Sequence, residues 1–401
     1  MDAIKVTSAE AETLGVVHER LQWLDDFLQR MIDEKKHPFE AFRVWRKSRL
    51  VFSGDYGVQT PDGGPLRPDA IYPLQSVTKP VVATCAGILQ EEGRVNFFTQ
   101  AKDYFPEFTG ENKDRVLLWH LLSHSSGMDD EAQGKYITDI AGKFDNDTWQ
   151  DVLSAVRPKI GLPEAEPGQT AAEEAYNLLQ LRAPLATMPG TAFSYSSFGY
   201  GMIKEVIERI TGETLEEFAR KKIFDPLGMT DTHFYLPVEK RDRFVIRGPG
   251  IRGNPWMDSE EMMTSTSAGG GLKSTMDDMA RFGLMYSNNG TLDGKRIISP
   301  ATVKLLTKNH NKGLPDSFWL GHWLGANWGL GWDIKEDKID DLGMLHSESS
   351  YNHGGYGGAR LLIDPEYDLV VMTYMCEKSD NDESIYEDMN LAVDILYGAL
   401  D

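Results

Sequence analysis

Ser76-Val77-Thr78-Lys79 is the stretch on which the reading of this chain turns. An apolar entry, Ile71-Tyr72-Pro73-Leu74, leads into it, and Val81, Val82, Cys85, Ile88 and Leu89 follow at helical spacing. A spacing of three puts Ser76 and Lys79 on one face of a single helical turn. The unpaired N–H groups and dipole at a helix start favour negative charge there. A serine in that position becomes a nucleophile once a neighbour takes its proton. Lys79, flanked by apolar residues, is the candidate neighbour, because burial lowers a lysine pKa. Pro80 stays within the first turn, where a missing N–H costs little. A bare S-x-x-K arises about once by chance in a chain of this length, so other stretches must supply its partners.

Composition sets the outer bounds. The chain has 401 residues, 41% hydrophobic and 26% charged, which is a globular composition long enough for one large or two intertwined domains. A formal net charge of -21 repels phosphate backbones, so no nucleic-acid partner is expected. Cys85 and Cys376 stand far apart, and no basic segment followed by an apolar run opens the chain. No stretch is long and apolar enough to span a membrane. These features lead to the expectation of a cytoplasmic protein.

Outward from Ser76, the two ends of the chain read differently from its middle. Leu14, Val17, Leu21, Leu24, Leu28 and Met31 predict one amphipathic helix. Phe39 to Trp45 and Leu50 to Tyr56, separated by Arg46-Lys47-Ser48-Arg49, predict a hairpin, and the Pro- and Gly-rich stretch 57–70 a loop. From about 80 to 275 the pattern is mostly helical. His120 and His124 lack a third ligand and are expected to be buried and hydrogen-bonded. Residues 129–175 predict a solvated cap or lid, and 201–223 two helices broken at Thr211-Gly212. The irregular stretch 236–265 contains Trp256, a candidate substrate contact. Gly269-Gly270-Gly271 is a turn before a helix at Met276–Tyr286, capped by Ser274 or Thr275, and not a phosphate loop. Phe318, Trp319, Trp323, Trp328 and Trp332, among glycines, either wall an apolar pocket or pack in the core. Residues 358–363 and 368–375 predict a second hairpin, and Ile385, Met389, Val393, Leu396 and Leu400 a closing helix.

The expected fold class is α+β: an antiparallel sheet built from both ends, flanked by terminal helices, with a mostly helical domain inserted. Residues 1–75 and 276–401 would form the sheet domain and 76–275 the helical domain, with the active site at their junction.

Two further stretches suit Ser76. Pro189 to Tyr200 is a Gly- and Ser-rich turn that presents Tyr195 before a helix. Tyr195 is either packed or faces a lysine ammonium, in which case its pKa falls and its phenolate acts as a base. Tyr351-Asn352-His353-Gly354-Gly355-Tyr356-Gly357-Gly358 leads into a strand, where glycines let a substrate lie along the edge and a backbone N–H complete an oxyanion hole.

Together with Leu121-Leu122-Ser123-His124-Ser125-Ser126-Gly127 and Gly270-Gly271-Leu272-Lys273-Ser274-Thr275, these stretches resemble the serine β-lactamase and penicillin-binding protein superfamily. The likeness is to its class C β-lactamase-like branch, nearest the family VIII carboxylesterases, and runs from about residue 15 to the end. The resemblance implies that Ser76 attacks and becomes acylated, while Lys79 and Tyr195 share the proton. It implies that the backbone N–H groups of Ser76 and Tyr356 hold the oxyanion. Ser197, His353, Gly354, Gly355, Trp256 and Trp323 are the expected substrate contacts.

Two departures bear on specificity. Ser197 stands where the family usually has Asn, and His353 and Gly354 replace the lysine and threonine of Lys-Thr-Gly. A largely neutral histidine weakens recognition of a substrate carboxylate. The leading expectation is a serine carboxylesterase on small, uncharged esters, needing no cofactor, metal or membrane. A β-lactamase, D,D-peptidase, D-amino-acid amidase or acyltransferase is the alternative within enzymes. A catalytically silent scaffold is the alternative from another class.

Overall fold

The computed structural model describes residues 3–142, 149–166, 168–315, 326–340, 342–376 and 385–401. Phe39–Arg46 (β1) and Arg49–Gly57 (β2) form the first expected hairpin. Lys47 and Ser48 turn it with φ of 50° and 60°, the left-handed geometry that a tight two-residue turn demands. Tyr72–Pro73 (β3) pairs with Lys273–Ser274 (β4), and Thr291–Leu292 (β5) with Lys295–Arg296 (β6). Asp333–Ile334 (β7), Tyr351–Gly355 (β8), Ala359–Asp364 (β9) and Leu369–Met375 (β10) complete the described strands.

The main sheet is antiparallel in the order β2-β1-β10-β9-β8-β7. Glu40 faces Met375 and Arg46 faces Leu369, so strands from the two ends of the chain meet at its centre. The fold is α+β, as expected. Alternation along β10 assigns its two faces. Leu369, Val371 and Met375 pack under the terminal helices, while Val370, Met372 and Tyr374 pack on the other face. That second face is covered by Met276–Ser287, whose Gly283 has no room for a side chain beside Val370. The core there continues without a break into the helical half through Val81, Leu121, Tyr200 and Phe218.

Two helical expectations are corrected. The single helix expected over Leu14–Met31 is two helices, Ser8–Leu14 (α1) and His18–Asp33 (α2). Gly15, at φ 68°, ends the first in the left-handed conformation that stops a helix, and Val17 caps the second. The cap at 129–175 is not merely solvated. Asp130–Ala141 (α4) and Gln169–Arg182 (α6) close with Trp149–Val156 (α5) around their own core of Ile137, Leu153, Val156, Ala175 and Leu179. The break at Thr211-Gly212 stands, with Gly212 ending Ser197–Thr211 (α7). Thr275, not Ser274, caps Met276–Ser287 by accepting from the Asp278 N–H.

Thr78–Glu91 (α3) is the central helix, buried on every side from Thr78 to Leu89. β8 runs against the turn that opens it. Gly355 makes the approach possible, because a Cβ there would collide with the Leu74 carbonyl oxygen. Gly355→Ala is therefore expected to destabilise the protein by about 1–3 kcal/mol, seen as a lowered Tm, and to reduce activity with it. Gly64→Ala, whose Cβ meets nothing, is expected to change neither.

Candidate active site

The site begins with a backbone constraint. After β3, Leu74 donates to the Leu272 carbonyl at 2.9 Å, and Gln75 takes a left-handed φ of 49°. A non-glycine residue there costs on the order of 1 kcal/mol. Thr78 holds the turn: its hydroxyl donates to the Gln75 carbonyl at 2.6 Å and accepts from the Leu272 N–H at 3.0 Å. Gln75–Val77 is a 3-10 turn that runs straight into α3. Ser76 is partly exposed there, while Lys79 is fully buried.

The Lys79 Nζ donates to Ser76 Oγ at 2.9 Å and to the Gly269 carbonyl at 2.7 Å. It lies 4.7 Å from the centroid of the Tyr195 ring and 5.6 Å from that of Tyr200. Burial brings the Lys79 pKa down to about 7, opposed by the more distant charge of Asp130. At neutral pH a large fraction of the amine therefore carries a lone pair within reach of the Ser76 proton.

Tyr195 arrives at the same point from the turn before α7. Ser196 caps that helix, and the His124 ring accepts from the Ser196 N–H at 3.0 Å through Nδ1. The His124 ring stacks on Tyr195 at 4.1 Å, and Trp328 meets Tyr195 edge-on at 5.9 Å. The Tyr195 and Ser76 side chains are hydrogen-bonded. Burial raises the Tyr195 pKa, and the bond to Ser76 offsets it only in part. Of the two alternatives, packed phenol or phenolate, burial favours the phenol, with the Lys79 amine lying over the ring face. Tyr195 keeps its proton and can donate it.

The expected histidines have backbone duties. His124 serves the Tyr195 turn, and the His120 Nδ1 accepts from the Leu117 N–H at 3.0 Å. Among the described residues, no group of three His, Cys, Asp or Glu side chains is placed to hold a metal.

The candidate substrate contacts divide. Ser197 is exposed beside the site, its N–H donating to both Asp130 oxygens at 3.1 and 3.0 Å. Gly354 and Gly355 lie on β8, and Tyr356 follows them directly. His353 is buried, donating from Nδ1 to the Gly354 carbonyl at 2.7 Å and packing against Trp328. Burial, with Lys79 nearby, brings its pKa down to about 3, so it carries no charge near neutrality. Trp256 is exposed on a turn whose neighbour Gly253 packs against Tyr356 and Met257. Trp323, with Phe318 and Trp319, lies outside the described residues. Of the remaining tryptophans, Trp328 walls the site and Trp332 is core, packed on Tyr286 and Tyr351. A cleft of about 1040 Å³ opens from Asp130 and Ser197 along α6 and α7, with Thr264–Ala268 on its other side.

Three contributors were not legible in the sequence. The Gly269 carbonyl is a backbone group and leaves no side-chain signature. Asp130 reads as one acid among many in a polar stretch. Arg252 stands over the Tyr356 ring at 4.4 Å, a contact that only the folded loop creates.

Comparison with known proteins agrees with this fold. The profile of the beta-lactamase family matches residues 24–393. An uncharacterized Mycobacterium tuberculosis protein is 25% identical over 364 residues, covering 82% of this chain and 83% of its own length. A penicillin-binding protein homologue from Caulobacter crescentus superposes with a TM-score of 0.71 at 21% identity, covering 94% of this chain and 98% of its own. A family VIII carboxylesterase superposes with a TM-score of 0.70 at 20% identity, covering 95% and 98%.

The shared contacts of Lys79 and Tyr195 with Ser76 predict strong non-additivity. Lys79→Met and Tyr195→Phe are each expected to slow modification of Ser76 by a fluorophosphonate about 100-fold or more, and the double variant little further. Fully additive losses in the measured second-order rates would show that the two groups act independently.

Proposed function

The chain belongs to the beta-lactamase family, and from that premise we propose that this hydrolase is a carboxylesterase acting on small, uncharged esters through an acyl-enzyme on Ser76. The observation that carries the proposal is the Ser76–Lys79 pair: a partly exposed hydroxyl 2.9 Å from a buried amine whose pKa is about 7. In this reading the neutral Lys79 amine takes the Ser76 proton as Oγ attacks the ester carbonyl. The N–H groups of Ser76 and Tyr356 receive the developing oxyanion. Tyr195 keeps its proton in the resting site and passes it to the departing alkoxide. The Lys79 ammonium returns its proton to the Tyr195 phenolate; water then attacks the acyl-enzyme with the neutral Lys79 amine as the base, and that proton passes to Ser76 Oγ as the acid departs.

The preference for uncharged esters rests on His353. It occupies the position of the family's charged lysine, yet it is buried and neutral. A carboxylate on the substrate would find no charged side chain at position 353 itself. The two free cysteines are buried, which accords with a reducing compartment such as the cytoplasm.

One observation favours a second reading. Arg252 lies over the ring of Tyr356, next to the proposed oxyanion strand, and its guanidinium suits a carboxylate. An acyl donor bearing one, as in a β-lactam or a D-alanyl peptide, would be drawn to that side.

The test is a series of chromogenic aryl esters of increasing acyl length, run beside a chromogenic cephalosporin. Short-chain esters are expected to show kcat/KM about 100-fold or more above the cephalosporin. Ser76→Ala is expected to abolish both with the circular dichroism spectrum unchanged. Comparable kcat/KM on the cephalosporin, lost on Arg252→Ala, would establish the second reading instead.

A further inference from the structure

Lys273 is a second fully buried lysine close to the site, on β4 beside the strand that leads to Ser76. Its Nζ donates to the Phe234 carbonyl at 2.5 Å and to the Ser265 carbonyl at 2.8 Å. The second contact closes a loop. The chain leaves Ser265, turns through Ser267 and Gly271, and returns to Lys273, whose ammonium reaches back to where the loop began. Within the loop, the Gly271 N–H donates to the Ser267 carbonyl at 2.7 Å and the Gly269 N–H to the Ser267 hydroxyl at 3.2 Å.

The loop has no slack on the side of the site. A Cβ on Gly269 would press on the Ser197 Cβ at 3.1 Å, and one on Gly270 on the Gln75 side chain at 3.0 Å. A Cβ on Gly271 would fall 2.6 Å from the Ser267 nitrogen. From this loop the Gly269 carbonyl accepts from Lys79. One lysine thus grips the neck of the loop and the other its tip.

We propose that Lys273 is a positioning residue, a tether that sets the Ser265–Gly271 turn so that the Gly269 carbonyl holds the Lys79 amine on Ser76. This rests on the reading of Ser76 and Lys79 as nucleophile and base. A buried ammonium is costly, and an apolar residue of similar length would fill the same volume more cheaply. What an apolar residue cannot do is hold two carbonyl oxygens at a fixed separation. The cost is visible in Lys273 itself, whose pKa burial brings down to about 7, with Glu216 opposing.

The surroundings of both lysines are defined. Glu216 faces Lys273 and accepts from the Phe234 and Tyr235 N–H groups, and His233 and Arg220 lie beyond it. Asp130, Tyr195, Tyr200, His124 and His353 surround Lys79. Cutting the tether leaves these groups in place and frees the loop alone. Lys79 then loses its carbonyl anchor, water enters, and its pKa climbs back toward the ordinary lysine value.

The experiment is Lys273→Met, read in two ways. The first is nitrogen-detected NMR titration of the lysine side chains, which needs no catalysis. The parent is expected to show Lys79 and Lys273 titrating near pH 7 beside Lys113 near 8, the last assigned by its loss in Lys113→Met. The variant should lose Lys273 and show Lys79 at least one pH unit higher. The second readout is kcat on a short aryl ester. One unit of upward shift leaves about a tenth of the amine neutral at pH 7 in place of half, a fall of about fivefold that disappears by about pH 9. KM should barely move.

Folded Lys273→Met with Lys79 still titrating near 7 would overturn the proposal. So would a rate loss equal at every pH, the mark of a merely structural role. If that variant does not fold, Lys273→Leu, which likewise has no donor, is judged by the same two criteria. A shifted Lys79 titration in a protein whose parent cleaves no ester and takes no fluorophosphonate would sink the functional reading and leave the tether standing.

Discussion

A lysine amine held out of water, 2.9 Å from a serine hydroxyl and 2.7 Å from a backbone carbonyl, is the contact on which the rest of this structure depends. Water would keep Lys79 protonated at neutral pH, and a protonated amine cannot take the Ser76 proton. The fold removes the water by burying α3 on every side from Thr78 to Leu89. That degree of burial needs the sheet on one flank and the helices on the other, which explains why one core runs through both. The same desolvation acts in the opposite sense on Tyr195, holding its proton on. One dry environment therefore favours a neutral amine and a protonated phenol a few ångströms apart.

Four segments distant in the sequence meet around that contact: the Ser76 turn, the Tyr195 turn, the glycine loop at 269–271 and the edge of β8. Their closeness rests on absent side chains. Gly355 lets β8 approach the Leu74 carbonyl, Gly269 packs on Ser197, and Gly270 packs on Gln75. Strain is concentrated at the same place, with Gln75 and His124 both in the left-handed region. A backbone held so tightly from several sides can keep such conformations, and it presents Ser76 at the surface while Lys79 stays beneath.

Much of this was readable in advance because it is written in side-chain periodicity. The hairpins at 39–57 and 359–375, the Gly212 break and the closing helix followed from alternation and turn chemistry. That Ser76, Lys79 and Tyr195 come together followed from a motif whose parts keep their order and spacing. What escaped is physical in each case. Gly15 splits the first helix although the apolar stripe runs on past it, since periodicity does not register a left-handed cap. The state of Tyr195 depends on how much water the fold removes, which no local pattern carries. The Gly269 carbonyl, and the Lys273 ammonium that reaches the neck of its loop, act through backbone oxygens that every residue possesses.

The central claim is that neutral Lys79, and not a tyrosine phenolate, activates Ser76. It is tested most directly by the pH dependence of Ser76 modification by an uncharged fluorophosphonate, with intact mass confirming a single adduct. Below pH 7 Lys79 is an ammonium and cannot accept the proton, so the rate should fall with falling pH. Above it the amine is free, so the rate should rise through a midpoint near 7, where the Lys79 pKa lies, and level off by about pH 8–9. A rate that keeps climbing to pH 10 with no plateau would contradict the account and place the base on a phenol or on hydroxide.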